Sequence, residues 1–374
     1  MGKLNDLSAL GTAVWLDFVD RKFLNEGGLQ KLVDEDGLTG VTSNPSIFEK
    51  AMGHGDAYDE SLAAYDKAHE GAATIDRYEH QAAEDIKAAA DTLRPVYDRL
   101  NAKDGYVSLE VSPYIADDTD AAIAEAQKLW SMVDKPNLMI KIPGTLAGAP
   151  AISASIAAGI NVNVTLLFAL DAYIRVAEAY AAGLEERVRQ GQPIDRIASV
   201  ASFFVSRIDT MIDKEIDRRV GDNDPESEAL KKLRGKVAIA NAKMAYQWFL
   251  DFEKSDRWQA LAAKGAQPQR LLWASTGVKD KAYADTLYVD SLIGRDTVNT
   301  MPPATMDAFR ERGTATETLT QGVDEARQVM AEAERLGLDL TGVTDTLVTE
   351  GVASFAKAFD DLLGALAQKQ PAAA

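Results

Sequence analysis

Residues 137–145 read NLMIKIPGT, a short apolar run with Lys141 in its middle. A run of this length, bounded by Pro143 and Gly144, reads as a buried β-strand. Successive side chains on a strand point to opposite faces. Met139 and Lys141 therefore share one face, and Leu138, Ile140 and Ile142 the other. A buried amine that carries charge is costly to desolvate, so chains rarely place a lysine in such a run without a partner or a purpose. Lys141 also falls near the C-terminal end of the run.

Seven further runs of this kind lie along the chain: AVWLD (13–17), TGVTSN (39–44), YVSLEV (106–111), INVNVTL (160–166), SVASFFV (199–205), LLWAST (271–276) and TLYVDS (286–291). Helical patterns separate them, such as residues 76–100 and 166–190. The stretch 225–254 has a helix-start signature, with Asp224 as the cap and Pro225 at the first helical position. Strands alternating with helices indicate parallel βα units, and eight such units predict an α/β chain folded as a (β/α)8 TIM barrel. An open doubly wound sheet uses the same elements. However, no Gly-x-Gly-x-x-Gly follows the first strand and no Gly-x-x-x-x-Gly-Lys-Ser/Thr occurs anywhere, which argues against a nucleotide-binding sheet. Residues 300–374 read as loop and helices, ending in the tail AQKQPAAA. The expectation is one domain over 1–374, with 300–374 as a helical C-terminal extension.

The same alternation applied to every run collects polar residues on one side. Asp17 aligns with Ala13 and Trp15, Thr42 and Asn44 with Gly40, and Glu110 with Ser108. Asn163 and Thr165 align with Asn161, Ser202 with Phe204, and Ser275 with Leu271 and Trp273. The opposite faces carry Val14, Leu16, Val41, Leu109, Val162, Val164 and Leu166, as strands covered by outer helices require. The polar set clusters toward the C-terminal ends of the strands, where barrel active sites are built.

Composition removes several alternatives. A formal charge of −18 over 374 residues disfavours a general nucleic-acid surface, yet leaves room for small phosphorylated substrates in a local basic pocket. Without any cysteine there is no thiolate catalysis, disulfide or cysteine-ligated metal. The three histidines, His54, His69 and His80, sit in one early polar region and read as surface or cap residues, which leaves a Ser-His-Asp triad or a histidine metal site hard to assemble. No apolar run is long enough to span a membrane and no secretory pattern heads the sequence, so the expected setting is the cytoplasm. The chemistry is left to Lys, Asp, Glu, Ser, Thr, Asn and Arg. Burial disfavours the charged form of an amine, and a neutral amine can attack a ketone to form a Schiff base that accepts electrons when a neighbouring C–C bond breaks. Carboxylates nearby can move the protons.

At these residues the chain resembles the transaldolase family. GVTSNPSIF (40–48) and MIKIPGTLAGAPAI (139–152) are similar to its signature segments. VSLEVSP, NVNVTLLF, SFFVSRID, LLWASTGVKD and YVDSLIGRDTVNTMPPAT follow in matching order, from about Trp15 to Thr305. The length and the Trp-Ala-Ser-Thr-Gly segment look most like the longer bacterial branch. The resemblance implies a barrel of the class I aldolase type with no metal or organic cofactor, acting in the non-oxidative pentose phosphate pathway. It implies transfer of a dihydroxyacetone unit from sedoheptulose 7-phosphate to glyceraldehyde 3-phosphate, giving erythrose 4-phosphate and fructose 6-phosphate. Carried over to matching positions, Lys141 would be the Schiff-base nucleophile and Asp17 the proton shuttle, with Glu110 and Thr165 holding a catalytic water. Asn44 and Asn163 would bind the hydroxyls of the three-carbon unit, with Ser202 nearby, and Arg207, Ser275 and Lys279 would hold the phosphate. Many relatives carry Arg where Lys279 stands, and an acidic residue where Ala147 stands. The implied partners are small sugar phosphates, with no nucleic acid or membrane, in a monomer or homodimer.

Each residue also has a plainer reading. A strand lysine can send its head to water, Asp17 can cap a helix, Glu110 can be a paired structural carboxylate, and Thr-Ser-Asn-Pro can be a turn. Arg207 and Lys279 can be surface ion-pair partners. Three rival functions follow from the same residues: an aldolase that releases free dihydroxyacetone, a barrel that only binds sugar phosphates, and the front part of a longer fused enzyme.

Overall fold

Eight parallel strands close on themselves in chain order in the computed structural model, which describes residues 2–222 and 224–369. They are β1 (Thr12–Asp17), β2 (Gly40–Thr42), β3 (Tyr106–Glu110), β4 (Leu138–Pro143), β5 (Val162–Leu167), β6 (Ser199–Phe204), β7 (Arg270–Ala274) and β8 (Thr297–Met301). Helices follow the strands and cover the outside, making a (β/α)8 barrel. Val14, Leu16, Leu138, Ile140, Ile142, Val162 and Val164 are buried as that cover requires. The end of the expected tail, residues 370–374, lies outside the described residues.

The last strand is a correction. Residues 286–291, rich in β-formers, contain a short helix, Leu287–Asp290, where the Thr286 hydroxyl donates to Asp290 Oδ2 at 2.7 Å. The true β8 begins after Asp296, whose φ is 55°, and ends at Met301, before Pro302. Its Thr and Asn residues look loop-like in sequence but find partners inside the barrel: Thr297 Oγ1 donates to Gly294 O at 2.6 Å, and Thr276 Oγ1 donates to Asn299 Oδ1 at 2.9 Å. The boundary expected at residue 300 therefore falls inside the barrel.

Two further expectations are corrected. The stretch 225–254 is not one helix but two, Ser227–Lys231 and Val237–Glu253, because Gly235 between them adopts a left-handed φ of 67°. Asp224 accepts from the backbone of Glu226, two residues on, which is a turn and not a helix cap. In β7 the inward face is the other one. Register pairs Ser202 with Leu272 and Phe204 with Ala274. Trp273 meets Phe203, and Phe203 meets Tyr173 on the outer helix Leu170–Arg189, so Leu271 and Trp273 look outward.

The bottom of the barrel is plugged. Trp15 Nε1 donates to Asp104 Oδ1 at 2.9 Å, and Arg270, whose guanidinium lies 5.9 Å from the Trp15 ring, donates to both oxygens of the same carboxylate. Gly40 is required beside this plug, since a Cβ there would stand 2.3 Å from the indole. At the other end, the long C-terminal helix Leu340–Gln368 crosses the mouth and packs against the helix Pro45–Gly53 that follows β2. Access to the interior is thus from the C-terminal ends of the strands.

Candidate active site

Strand register alone brings the polar residues level with one another. Asp17 pairs with Thr42, Glu110 with Lys141, and Lys141 with Asn163. Above them a cavity of about 360 Å³ is walled by Asp17, Asn44, Lys141, Ser202, Arg207, Ser275 and Lys279, among others. Seven of the ten residues expected from sequence therefore face one space. Glu110, Asn163 and Thr165 lie behind or beneath it and do not line it.

Lys141 is 4% exposed. Its Nζ donates to the Ser43 carbonyl at 3.2 Å and lies 3.3 Å from Glu110 Oε2, in a pair that is almost fully buried. The plain reading, a head group reaching solvent, does not describe this lysine. Burial pushes the Glu110 carboxyl above its ordinary range, Lys141 opposes that, and Asp17 adds to it. Glu110 Oε2 and the Thr165 hydroxyl are both buried and, among the described residues, neither has an aligned hydrogen-bond partner. Two such atoms are the kind of group that a bound water satisfies.

Asp17 ends β1 and is held by a directed chain. Thr42 Oγ1 donates to Asp17 Oδ1 at 2.6 Å, and Thr300 Oγ1 lies 2.7 Å from Thr42 Oγ1. A hydroxyl has one proton, so Thr300 is the donor in the second contact. Burial raises the Asp17 carboxyl, while Lys141, the Thr42 hydroxyl and Arg207 pull it back. This is the environment of a carboxylate poised to exchange a proton.

Asn44 caps the helix Pro45–Gly53, accepting from Ile47 N at 3.1 Å through Oδ1, with Pro45 at the first helical position. Thr-Ser-Asn-Pro is therefore the junction of a strand and a capped helix and not a free turn, and the cap also orients the side chain against the cavity it lines. Asn163 is engaged at both ends of its amide beneath the floor: its Nδ2 donates to Ser108 Oγ at 3.0 Å and its Oδ1 accepts from Ser202 Oγ at 2.7 Å. Ser202 is the member of that chain that reaches the cavity.

The cationic end is built by β6 and β7. Arg207 opens the helix Ser206–Gly221 with its guanidinium 5.1 Å from the Phe204 ring. Burial lowers its pKa and Asp17 opposes that. Among the described residues no carboxylate pairs with Arg207 or Lys279, so the surface ion-pair reading fails for both. Ser275 reaches the mouth by a left-handed φ of 54°, not by strand alternation, and its Oγ lies 3.0 Å from Ser206 Oγ. Among the described residues no three His, Asp or Glu side chains are gathered closely enough to hold a metal ion.

Four contributors escape the sequence reading: Thr300, Ser206, Lys50 and Phe355. Thr300 was hidden by the misplaced eighth strand. Ser206 and Lys50 each sit in the helix that follows a recognisable strand, Ser206 at its first residue and Lys50 further in, and that position after an inward-facing strand end is their only sequence signal. Phe355 carries no local signal, since it lies more than 200 residues from Lys141 in sequence, on a helix whose apolar spacing reads as ordinary packing.

Residues 14–366 match the family model described as Transaldolase/Fructose-6-phosphate aldolase. The chain is 48% identical to a transaldolase of Thermobifida fusca, with 98% of each chain covered. It is 47% identical to transaldolase 2 of a Nostoc species, over 98% of this chain and 97% of that one, and 47% identical to a transaldolase of a Parafrankia species, with 99% of each covered.

Proposed function

The chain belongs to the transaldolase/fructose-6-phosphate aldolase family, and from that premise we propose that it is a transaldolase moving a dihydroxyacetone unit between sugar phosphates. The donor in this reading is sedoheptulose 7-phosphate, the acceptor is glyceraldehyde 3-phosphate, and the products are erythrose 4-phosphate and fructose 6-phosphate. The observation that carries the reading is Lys141, buried beside Glu110 on the wall of a cavity whose far side holds cations without carboxylate partners.

The neutral Lys141 amine adds to the donor ketone, and loss of water forms the iminium. Asp17 takes the proton from the hydroxyl on the carbon beyond the scissile bond. That C–C bond breaks, its electron pair flows into the iminium as an enamine, and an aldehyde leaves. The enamine carbon then attacks the acceptor aldehyde, Asp17 returns the proton to the new hydroxyl, and water hydrolyses the imine. Glu110 and Thr165 hold the water that serves the formation and hydrolysis steps. Asn44 and Ser202 bind hydroxyls of the three-carbon unit, with Asn163 fixing Ser202. Arg207, Ser275 and Lys279 hold the phosphate, with Arg207 suited to a forked contact.

The reading treats the chain as one catalytic unit, active as a monomer or homodimer. It carries a cytoplasmic setting, because charged sugar phosphates do not enter lipid unaided. No helix among the described residues is long and apolar enough to cross a membrane.

The test is trapping. The protein is incubated with fructose 6-phosphate, reduced with borohydride and mapped by mass spectrometry. A three-carbon adduct on Lys141, lost in Lys141→Met, is the expected result, and erythrose 4-phosphate should discharge the unreduced intermediate. A folded protein that binds substrate and gives no adduct would be a binding barrel and not an enzyme of this mechanism.

A further inference from the structure

The cavity is polar on most sides, yet the amine at its base faces an aromatic ring from a distant part of the chain. Phe355 is 6% exposed, lines the cavity, and has its ring centroid 5.9 Å from Lys141 Nζ. It belongs to the helix Leu340–Gln368, and that helix is seated with care for so remote an element. Gly351, one turn before Phe355 and on the same face, sits so close to Leu166 that a Cβ would stand 2.8 Å from Leu166 Cδ2. Leu166 itself has φ 57° at a register shift in β5, next to Thr165. At the far end of the helix the buried Arg77 donates to the Leu366 carbonyl at 2.6 Å while paired with Asp66. Between these points Phe359 meets Tyr78 edge-on and Tyr114 Oη donates to Asp360.

These contacts fix the height of the ring over the lysine. No polar role in the proposed mechanism uses Phe355, so its chemistry must come from its apolar surface and its π-face. An iminium on Lys141 is a cation within reach of a π-face. The enamine that follows is lost to the transfer reaction if its carbon takes a proton from solvent before an acceptor arrives. An apolar cover over that carbon excludes the proton source.

We propose that Phe355 determines specificity for transfer over release: it shields the three-carbon enamine on Lys141 from solvent protonation until the acceptor aldehyde binds. The inference rests on the imine reading of Lys141. Its chemistry is balanced without any further reactant. In release, the enamine carbon gains one proton from water, and hydrolysis frees dihydroxyacetone and the amine. In transfer, the same carbon forms its new bond to the acceptor carbonyl.

The experiment uses the full chain with fructose 6-phosphate. Three quantities are measured: transfer to erythrose 4-phosphate, free dihydroxyacetone formed without acceptor, and borohydride adduct on Lys141. Phe355→Ala should raise the release-to-transfer ratio about tenfold while the adduct persists. Phe355→Val, a milder cut, should move the ratio the same way by less, and serves if the alanine variant does not fold. Leu347→Ala, on the same helix but outside the cavity and outside the contacts that seat Phe355, should leave the ratio as in the wild type. An unchanged ratio in a folded Phe355 variant that still forms the adduct overturns the proposal. So does an equal shift in Leu347→Ala, since the effect would then belong to the helix as a whole and not to the ring over Lys141. Absence of adduct in the wild type is a different failure: it removes the imine reading, and this inference with it.

Discussion

At the scale of single residues, proton control at Asp17 depends on two hydroxyls, Thr42, which strand alternation places on the inner face, and Thr300, which a sequence scan passes over. The Thr300–Thr42–Asp17 chain has one possible direction, because the carboxylate can only accept. The Thr42 bond favours the charged form of Asp17, so its loss raises the carboxyl further. Thr42→Val should therefore move the acidic limb of the kcat/KM profile to higher pH, because the ionised carboxylate is the form that accepts the substrate proton. It should also lower kcat by about tenfold, while Thr42→Ser restores both. A pH-rate series on the three proteins checks this. An unmoved limb in Thr42→Val would mean that the hydroxyl only packs. The plain and functional readings also coexist at this scale: Asn44 caps its helix with one end of the amide and lines the cavity.

At the scale of elements, the loop 275–286 that carries Ser275 and Lys279 is tied down behind the cavity. Arg234 bonds Asp280 at 2.7 Å and Asp217 at 2.5 Å, and Tyr283 Oη donates to Asp213 Oδ2 at 2.7 Å. Gly235 allows that approach, since a Cβ there would meet the Tyr283 ring at 2.8 Å. Releasing Arg234 leaves Asp217 and Asp280 unpaired near Lys279, where they compete with a substrate phosphate for its charge. Arg234→Gln should raise KM for phosphorylated substrates about fivefold with kcat nearly unchanged, a modest effect because the pair is partly exposed. The effect should vanish in a Lys279→Ala background, which a double-mutant cycle measures. Additive losses would show that Arg234 acts elsewhere.

At the scale of the molecule, closing the sheet buries acids as well as apolar side chains. Asp209, two residues beyond Arg207, accepts from Ala238 N at 2.8 Å and from Tyr288 Oη at 3.1 Å, and burial, aided by the charge of Asp213, pushes it up to about 7. Burial likewise raises Asp17, Glu110 and Asp85. In the unfolded chain an aspartic acid ionises near 3.8. Between that pH and about 7 the native Asp209 holds its proton more than the unfolded one does, so its contribution to stability falls as pH rises and levels off above 7. The slope is at most about 1.4 kcal/mol per pH unit for one group. Asp209→Asn keeps an acceptor for Ala238 and removes the titration. The fall in Tm between pH 5 and pH 8 should be smaller in the variant than in the wild type. Equal falls would assign the pH dependence to other groups.

Local patterns in the sequence were enough to specify the fold class and most of the cavity wall. Alternation sorts Asp17, Glu110, Lys141, Asn163 and Ser202 onto the inner face because a strand has a period of two and the outer face must be apolar. Those constraints act between neighbouring residues, so they can be read in one dimension. They fail where a short segment is compatible with both states: residues 286–291 fold as a turn of helix and β7 presents its other face, because the bond of Tyr288 to Asp209 and the packing of Trp273 against Phe203 override propensity. Depth and distance belong to the tertiary structure alone. Barrel closure brings Thr300 to Thr42 and leaves Asn163 beneath the floor, and only the course of the C-terminal helix carries Phe355 over Lys141. Contacts across hundreds of residues follow from how the whole chain packs, and no local pattern encodes them.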